Sequence, residues 1–110
     1  MAEIRKVLGQ QAPTMSTTAT AYNVPTSREA VVSSVVFCNR AASAMTLCAA
    51  VVTAMDTDAQ TDQYIYSGLT LPANDTFIAT IGLTLSAGDQ IRVNPSNNNL
   101  TVTVFGVEIT

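Results

Sequence analysis

The sequence predicts an all-β fold, an antiparallel β-sandwich of jelly-roll-like form with about eight strands and an N-terminal extended arm. Three observations lead there. Apolar residues recur with period two or in short β-branched runs, without the three-to-four spacing of an amphipathic helix. Gly, Pro, Asn and Asp turns punctuate these runs about every 10 to 14 residues. Finally, 110 residues that are 47% hydrophobic and only 12% charged suffice for one core and one domain, with about half the usual share of charge.

The elements follow in order. Residues 4–10 place Ile4, Lys6 and Leu8 on one face and Arg5 and Val7 on the other. A breaker-rich stretch, Gln11-Ala-Pro-Thr-Met-Ser16, separates them from residues 19–24, which stop at Val24-Pro25 because proline cannot donate to a ladder. Residues 29–39 are apolar on both faces, Val31, Val35 and Phe37 against Val32, Val36 and Cys38, so the strand should be covered on both sides. After a turn at 40–43, residues 45–54 repeat the pattern with small side chains that permit close approach. A polar loop, 56–62, leads to residues 63–71, and Pro72-Ala-Asn-Asp75 turns into residues 76–85, where Phe77, Ala79, Ile81, Leu83 and Leu85 alternate with threonines. Residues 90–94 and 100–109 complete the set. In the last, Leu100, Val102 and Val104 occupy one face and Phe105, Val107 and Ile109 the other, and this change of phase beside Gly106 predicts a bulge or corner.

Charge and composition narrow the function. The net charge is −3 and the basic residues Arg5, Lys6, Arg28, Arg40 and Arg92 are scattered, so no basic stripe for nucleic acid is expected. No apolar run is long enough for a signal peptide or a membrane span, which predicts a chain made and kept soluble in a cytoplasm. A hairpin centred on residues 41 and 42 would offset Cys38 and Cys48 by about three residues, about 10 Å along the strands. A disulfide tolerates about 7 Å, so the expectation is free, buried thiols in a reducing compartment.

No catalytic, cofactor or metal site is expected. The chain has no histidine, which removes histidine triads and histidine-ligated metals. Asp75 and Asp89 sit in turns, where carboxylates commonly cap the backbone. Asp56, Asp58, Gln60 and Asp62 imitate the start of a calcium loop, but Thr61 and Ser67 stand where glycine and a bidentate glutamate are required. The sequons Asn74-Asp-Thr76 and Asn99-Leu-Thr101 read as turns. Tyr64 and Tyr66, on one face with Gly68, are either a sugar-binding platform or a cross-sheet pair.

The remaining candidate is an interaction segment. Residues 1–16 read as an arm and linker and 17–110 as the sandwich domain, with Ile4, Arg5, Lys6, Leu8 and Gln10 as partner-binding residues. Such an arm adds a strand to a neighbour's sheet edge, Ile4 and Leu8 filling alternate pockets and Glu3, Arg5 and Lys6 setting register by ion pairs. The competing reading makes the segment the first strand of its own sandwich.

Several stretches together resemble a family of small virion proteins of tailed bacteriophages, including cyanophages. They are Val7-Leu-Gly-Gln10, Tyr22-Asn-Val-Pro25, Val31-Val-Ser-Ser-Val-Val, Cys38-Asn-Arg40, Ala73-Asn-Asp-Thr-Phe77, Gly82-Leu-Thr-Leu85 and Phe105-Gly-Val-Glu-Ile-Thr110. The resemblance implies a non-enzymatic homo-oligomer, a trimer by analogy, located in the virion. As a capsid cement or decoration protein it would bridge major capsid protein subunits. A tail, neck, baseplate or fibre-base subunit is the alternative, and a host-glycan-binding module a second one. Neither nucleic acid nor membrane is an expected partner.

Overall fold

The computed structural model describes residues 3–14, 18–54 and 61–110. These residues form nine strands: β1 (Glu3–Gln11), β2 (Ala19–Asn23), β3 (Glu29–Asn39), β4 (Met45–Val52), β5 (Tyr64–Leu71), β6 (Thr76–Ala79), β7 (Leu83–Leu85), β8 (Gln90–Pro95) and β9 (Leu100–Ile109). A 3-10 turn at Thr61–Gln63 precedes β5. The strands form two antiparallel sheets. Sheet A runs β1-β9-β3-β6, with β7 also paired to β3, and sheet B runs β2-β8-β4-β5.

The pairing is nested. The first strand pairs with the last, β2 with β8, β3 with β6 and β7, and β4 with β5. Rolling such a nested hairpin on itself produces the two sheets of a jelly roll. The extra strand comes from residues 76–85, which form two strands in place of one. Val35 pairs with Ala79 and Val32 with Leu83, so the stretch through Thr80, Ile81 and Gly82 carries one residue more than β3 opposite and leaves the ladder as a bulge.

Residues 29–39 and 45–54 do not form the expected hairpin, since β3 lies in sheet A and β4 in sheet B. Asn39 fixes the crossing. Its buried amide donates to the carbonyls of Ser43, Leu71 and Pro72 at 2.9, 3.2 and 3.0 Å and its Oδ1 accepts from the Ala41 N–H at 2.9 Å. These bonds tie the β3–β4 connection to the turn after β5. Cys38 and Cys48 are free and half-buried, and alternation puts them on the outer faces of different sheets.

Alternate residues of every long strand meet in one core between the sheets, in which Phe37, Leu47, Leu71, Ile91 and Leu100 are fully buried. Asp75 and Asp89 cap turns. Asp75 accepts from the Thr76 N–H at 2.8 Å, while Asp89 accepts from Ala54 and Ser86 N–H groups at 3.0 and 2.9 Å.

The division into arm and domain at residue 16 is corrected by the register of β1. Glu3 pairs with Ile109, and the ladder continues to Gln11 opposite Val102. Residues 3–11 are therefore the edge strand of the chain's own sheet A. The reason is that β9 would otherwise present ten residues of unpaired backbone, and Leu8 packs against the core.

Candidate interaction surface

β9 keeps one phase throughout. Leu100, Val102, Val104 and Glu108 are buried on its inner side, and Phe105, Val107 and Ile109 line its outer side. The irregularity expected beside Gly106 exists, but the extra residues belong to its neighbours: register shifts between Val32 and Ser34 in β3 and between Val7 and Gly9 in β1. Gly106 sits between these two bulges. A Cβ there would lie 2.3 Å from the Val31 carbonyl oxygen and 3.0 Å from Leu8 Cδ1, so only glycine fits.

The inward side chain that follows is a carboxylate. Glu108 is 1% exposed and accepts hydrogen bonds from the Tyr22 hydroxyl at 2.6 Å and from Arg28 Nη1 at 2.7 Å. Lys6 Nζ lies 3.1 Å from the same oxygen that Arg28 reaches. The cluster joins β1, β9 and the loop before β3 to β2 of the opposite sheet. Burial alone would push the Glu108 pKa up, but the bonds from Tyr22, Lys6 and Arg28 outweigh it and hold the carboxyl below its ordinary range. Burial, and then the bond to Glu108, push the Tyr22 phenol well above its ordinary value.

The five partner-binding candidates do not converge on one surface. Lys6 and Leu8 turn inward, to Glu108 and to the core, and Ile4 is half-buried on the same face, opposite Glu108 in register. The ion pair expected to set register with a neighbour is thus made within the chain, because Lys6 shares a face with the buried acid. Arg5 and Gln10 remain exposed, beside Val107 and Thr103 respectively.

What stands exposed is the outer face of sheet A. Among the described residues, five large hydrophobic side chains are exposed to solvent, and four of them, Val7, Val31, Ile78 and Phe105, lie on it, at 46, 37, 60 and 38%. Register makes them neighbours. Val7 opposes Phe105, Val31 opposes Val107, and Val36 opposes Ile78. The outer face of sheet B is mixed: Gln90, Arg92 and Asn94 of β8 lie beside Val52, Ala50 and Cys48 of β4, with Thr46 further along and Tyr64 opposite Ala50. An open depression of about 250 Å³ on sheet B, lined by Thr46, Leu47, Cys48, Asn94, Pro95 and Ser96, adds no charged group.

The tyrosine platform does not form. Two steps along β4 from Leu47 to Ala49 match three along β5, and one further step matches two, so β5 carries two extra residues, one of them between Tyr64 and Tyr66. Gly68, at φ 71°, supplies the left-handed backbone at the other irregularity. Tyr66 consequently packs edge-on to Phe37 and Phe77, at 6.2 and 5.6 Å between centroids, while Tyr64 stays exposed. Asp56, Asp58 and Gln60 of the calcium-like loop lie outside the described residues. Among the described residues no group of three His, Cys, Asp or Glu is placed to hold a metal, and no helix is long and apolar enough to cross a membrane.

No protein-family model matches the chain, and no curated protein matches it. Among solved structures it is similar to a chain in the structure of infectious bursal disease virus, Gx strain, with a TM-score of 0.52 at 10% identity. The match covers 97% of this chain and 36% of that one, so this chain spans about a third of the length of its structural neighbour. At such identity the likeness is one of fold: this chain is an all-β sandwich of a kind also present in a virus.

Proposed function

We propose that the chain is a non-enzymatic structural protein of a virus particle, specifically a capsid cement or decoration protein of a tailed phage. Its work is to associate with copies of itself and with major capsid subunits. The apolar outer face of sheet A carries this reading: four large hydrophobic side chains exposed on one face of a low-charge sandwich suit a surface covered by protein. Two further observations support it, the fold shared with a chain from a virus and the resemblance of the sequence to small phage virion proteins. Apolar burial contributes about 25 cal/mol per Å², and repetition over a shell multiplies a modest contact.

Quantitative mass spectrometry of purified particles of the encoding phage tests the proposal. A copy number on the scale of the major capsid protein supports the cement role. A number on the scale of a single tail ring assigns the chain to the tail, neck, baseplate or fibre base. Absence from purified particles overturns the virion reading. The glycan-binding alternative loses its main support because Tyr66 is occupied within the sandwich.

A further inference from the structure

We infer that the outer face of sheet A is the seat of a second copy of this chain, the two copies stacking sheet on sheet about a two-fold axis. The inference deepens the virion reading by naming the partner of its interaction surface.

Size is the first argument. The three long strands of sheet A, β1, β9 and β3, hold nine, ten and eleven residues, and a rise of about 3.4 Å per residue gives a face about 30 Å long. Strands about 4.8 Å apart, with β6 and β7 as the fourth column, make it about 18 Å wide. Each copy would then cover about 500 Å², and a pair about 1,000 Å², the lower bound for a specific interface. The pair should therefore be reversible.

Chemistry is the second argument. The charged side chains on this face are Glu3, Arg5 and Glu29, and all three stand at one end, where Glu3 and Glu29 flank Ile109 in register. The rest is uncharged: Val7, Val31, Val36, Ile78, Phe105 and Val107, with Gln10, Ser34, Cys38 and Thr103 among them. An axis running across the strands lays the two copies antiparallel. The charged ends then lie far apart and apolar side chain meets apolar side chain, at the roughly 10 Å separation of packed sheets. A face without like-charge conflict against itself is what an isologous contact requires.

A ring of three, which the phage resemblance implies, would join two different faces of successive copies. The opposite broad face carries Thr46, Gln90, Arg92 and Asn94, and pressing it onto the apolar face would strip polar groups of water without return. The two-fold stack avoids that cost.

Sedimentation equilibrium on the purified full chain, from about 1 to about 500 µM, tests the inference. The expected result is a reversible monomer–dimer equilibrium. F105R and I78K should each raise the dissociation constant by about 100-fold or more while leaving circular dichroism and melting temperature unchanged, and T46R, on sheet B, should leave the dimer intact. Because Ile78 is 60% exposed, I78K decides the matter alone if F105R fails to fold. A wild-type chain monomeric throughout, a three-copy mass, or dimers that persist in the folded I78K variant would each overturn the inference. The virion reading is judged separately, by copy number in purified particles, so either can fail without the other.

Discussion

At the scale of single residues, Glu108 is the most consequential side chain. A carboxylate with almost no exposure is tolerated because three donors surround it, and removing it leaves the buried Tyr22 hydroxyl without its acceptor and the half-exposed Arg28 and Lys6 without their counter-charge. E108Q should cost about 2 kcal/mol and Y22F about 1 kcal/mol in chemical denaturation. K6M should cost less than about 1 kcal/mol, since that ion pair is open to water on one side. The pH dependence has two limbs. Unfolded, Glu108 titrates near its ordinary 4.5, and folding lowers it. Its contribution is therefore complete above that pH and drains away as pH falls toward the folded value. Tyr22 is raised from an ordinary 10.0, so its contribution holds below pH 10 and is lost as pH rises beyond it. Urea midpoints measured from pH 3 to 11 should fall at both ends, and Y22F should flatten the alkaline limb. This cluster escapes sequence reading because Phe105, Val107 and Ile109 form the more apolar alternation and draw the eye to the wrong face. The available signal was parity: Glu108 falls in step with Leu100, Val102 and Val104.

At the scale of elements, two glycines and one edge strand matter. Gly9 and Gly106 stand where backbones touch, with a Cβ at Gly9 placed 2.1 Å from the Ala21 carbonyl oxygen. G9A and G106A should each lower stability by about 1–3 kcal/mol. G82A, with nothing within 4 Å of the new methyl group, should change it by less than about 0.5 kcal/mol. Thermal melts of the three variants side by side check the contrast. Deleting residues 2–12 removes β1, Leu8 and Lys6 and bares the edge of β9. The truncated chain should aggregate or melt well below the intact one, whereas a clean cooperative melt at the original temperature would mean that β1 belongs elsewhere. Strand positions were legible in the sequence because turn residues and period-two patterns mark them locally. Sheet membership was not. Whether residues 45–54 double back on 29–39 or cross to the other sheet depends on Asn39 and on Leu71 and Pro72, which meet it only after folding. The bulges in β5 were equally hidden, and they separate Tyr64 from Tyr66.

At the scale of the whole molecule, the two sheets place Cys38 and Cys48 on different outer faces, and neither thiol can reach the other without unfolding. The mass of the intact chain should be the same with and without reductant, in native and in air-exposed samples alike, and a two-proton loss reversed by reductant would contradict the topology. The sequence-based geometry reached the same expectation of free thiols by way of a hairpin that the fold does not contain. The two layers also differ in character, since sheet A turns apolar side chains to solvent and sheet B turns Gln90, Arg92 and Asn94. The asymmetry comes from β3 and β9, which are apolar on both faces, and it was legible in β3 as a strand needing cover on both sides.

The nested pairing also fixes when the molecule can become itself. Because Glu3 pairs with Ile109, β1 stays unpaired until β9 has been made, although β3 can by then already hold β6 and β7. Contacts between such distant positions place folding in the slow regime of roughly milliseconds to seconds. Throughout that interval each nascent chain displays a bare β1 and, briefly, a bare β9. On a polysome crowded with identical copies, a β1 from one chain can complete the β9 of the next, because the ladder, the Lys6–Glu108 pair and the Gly106 notch are the same in both. Dilute synthesis favours self-closure, and crowded synthesis favours exchange.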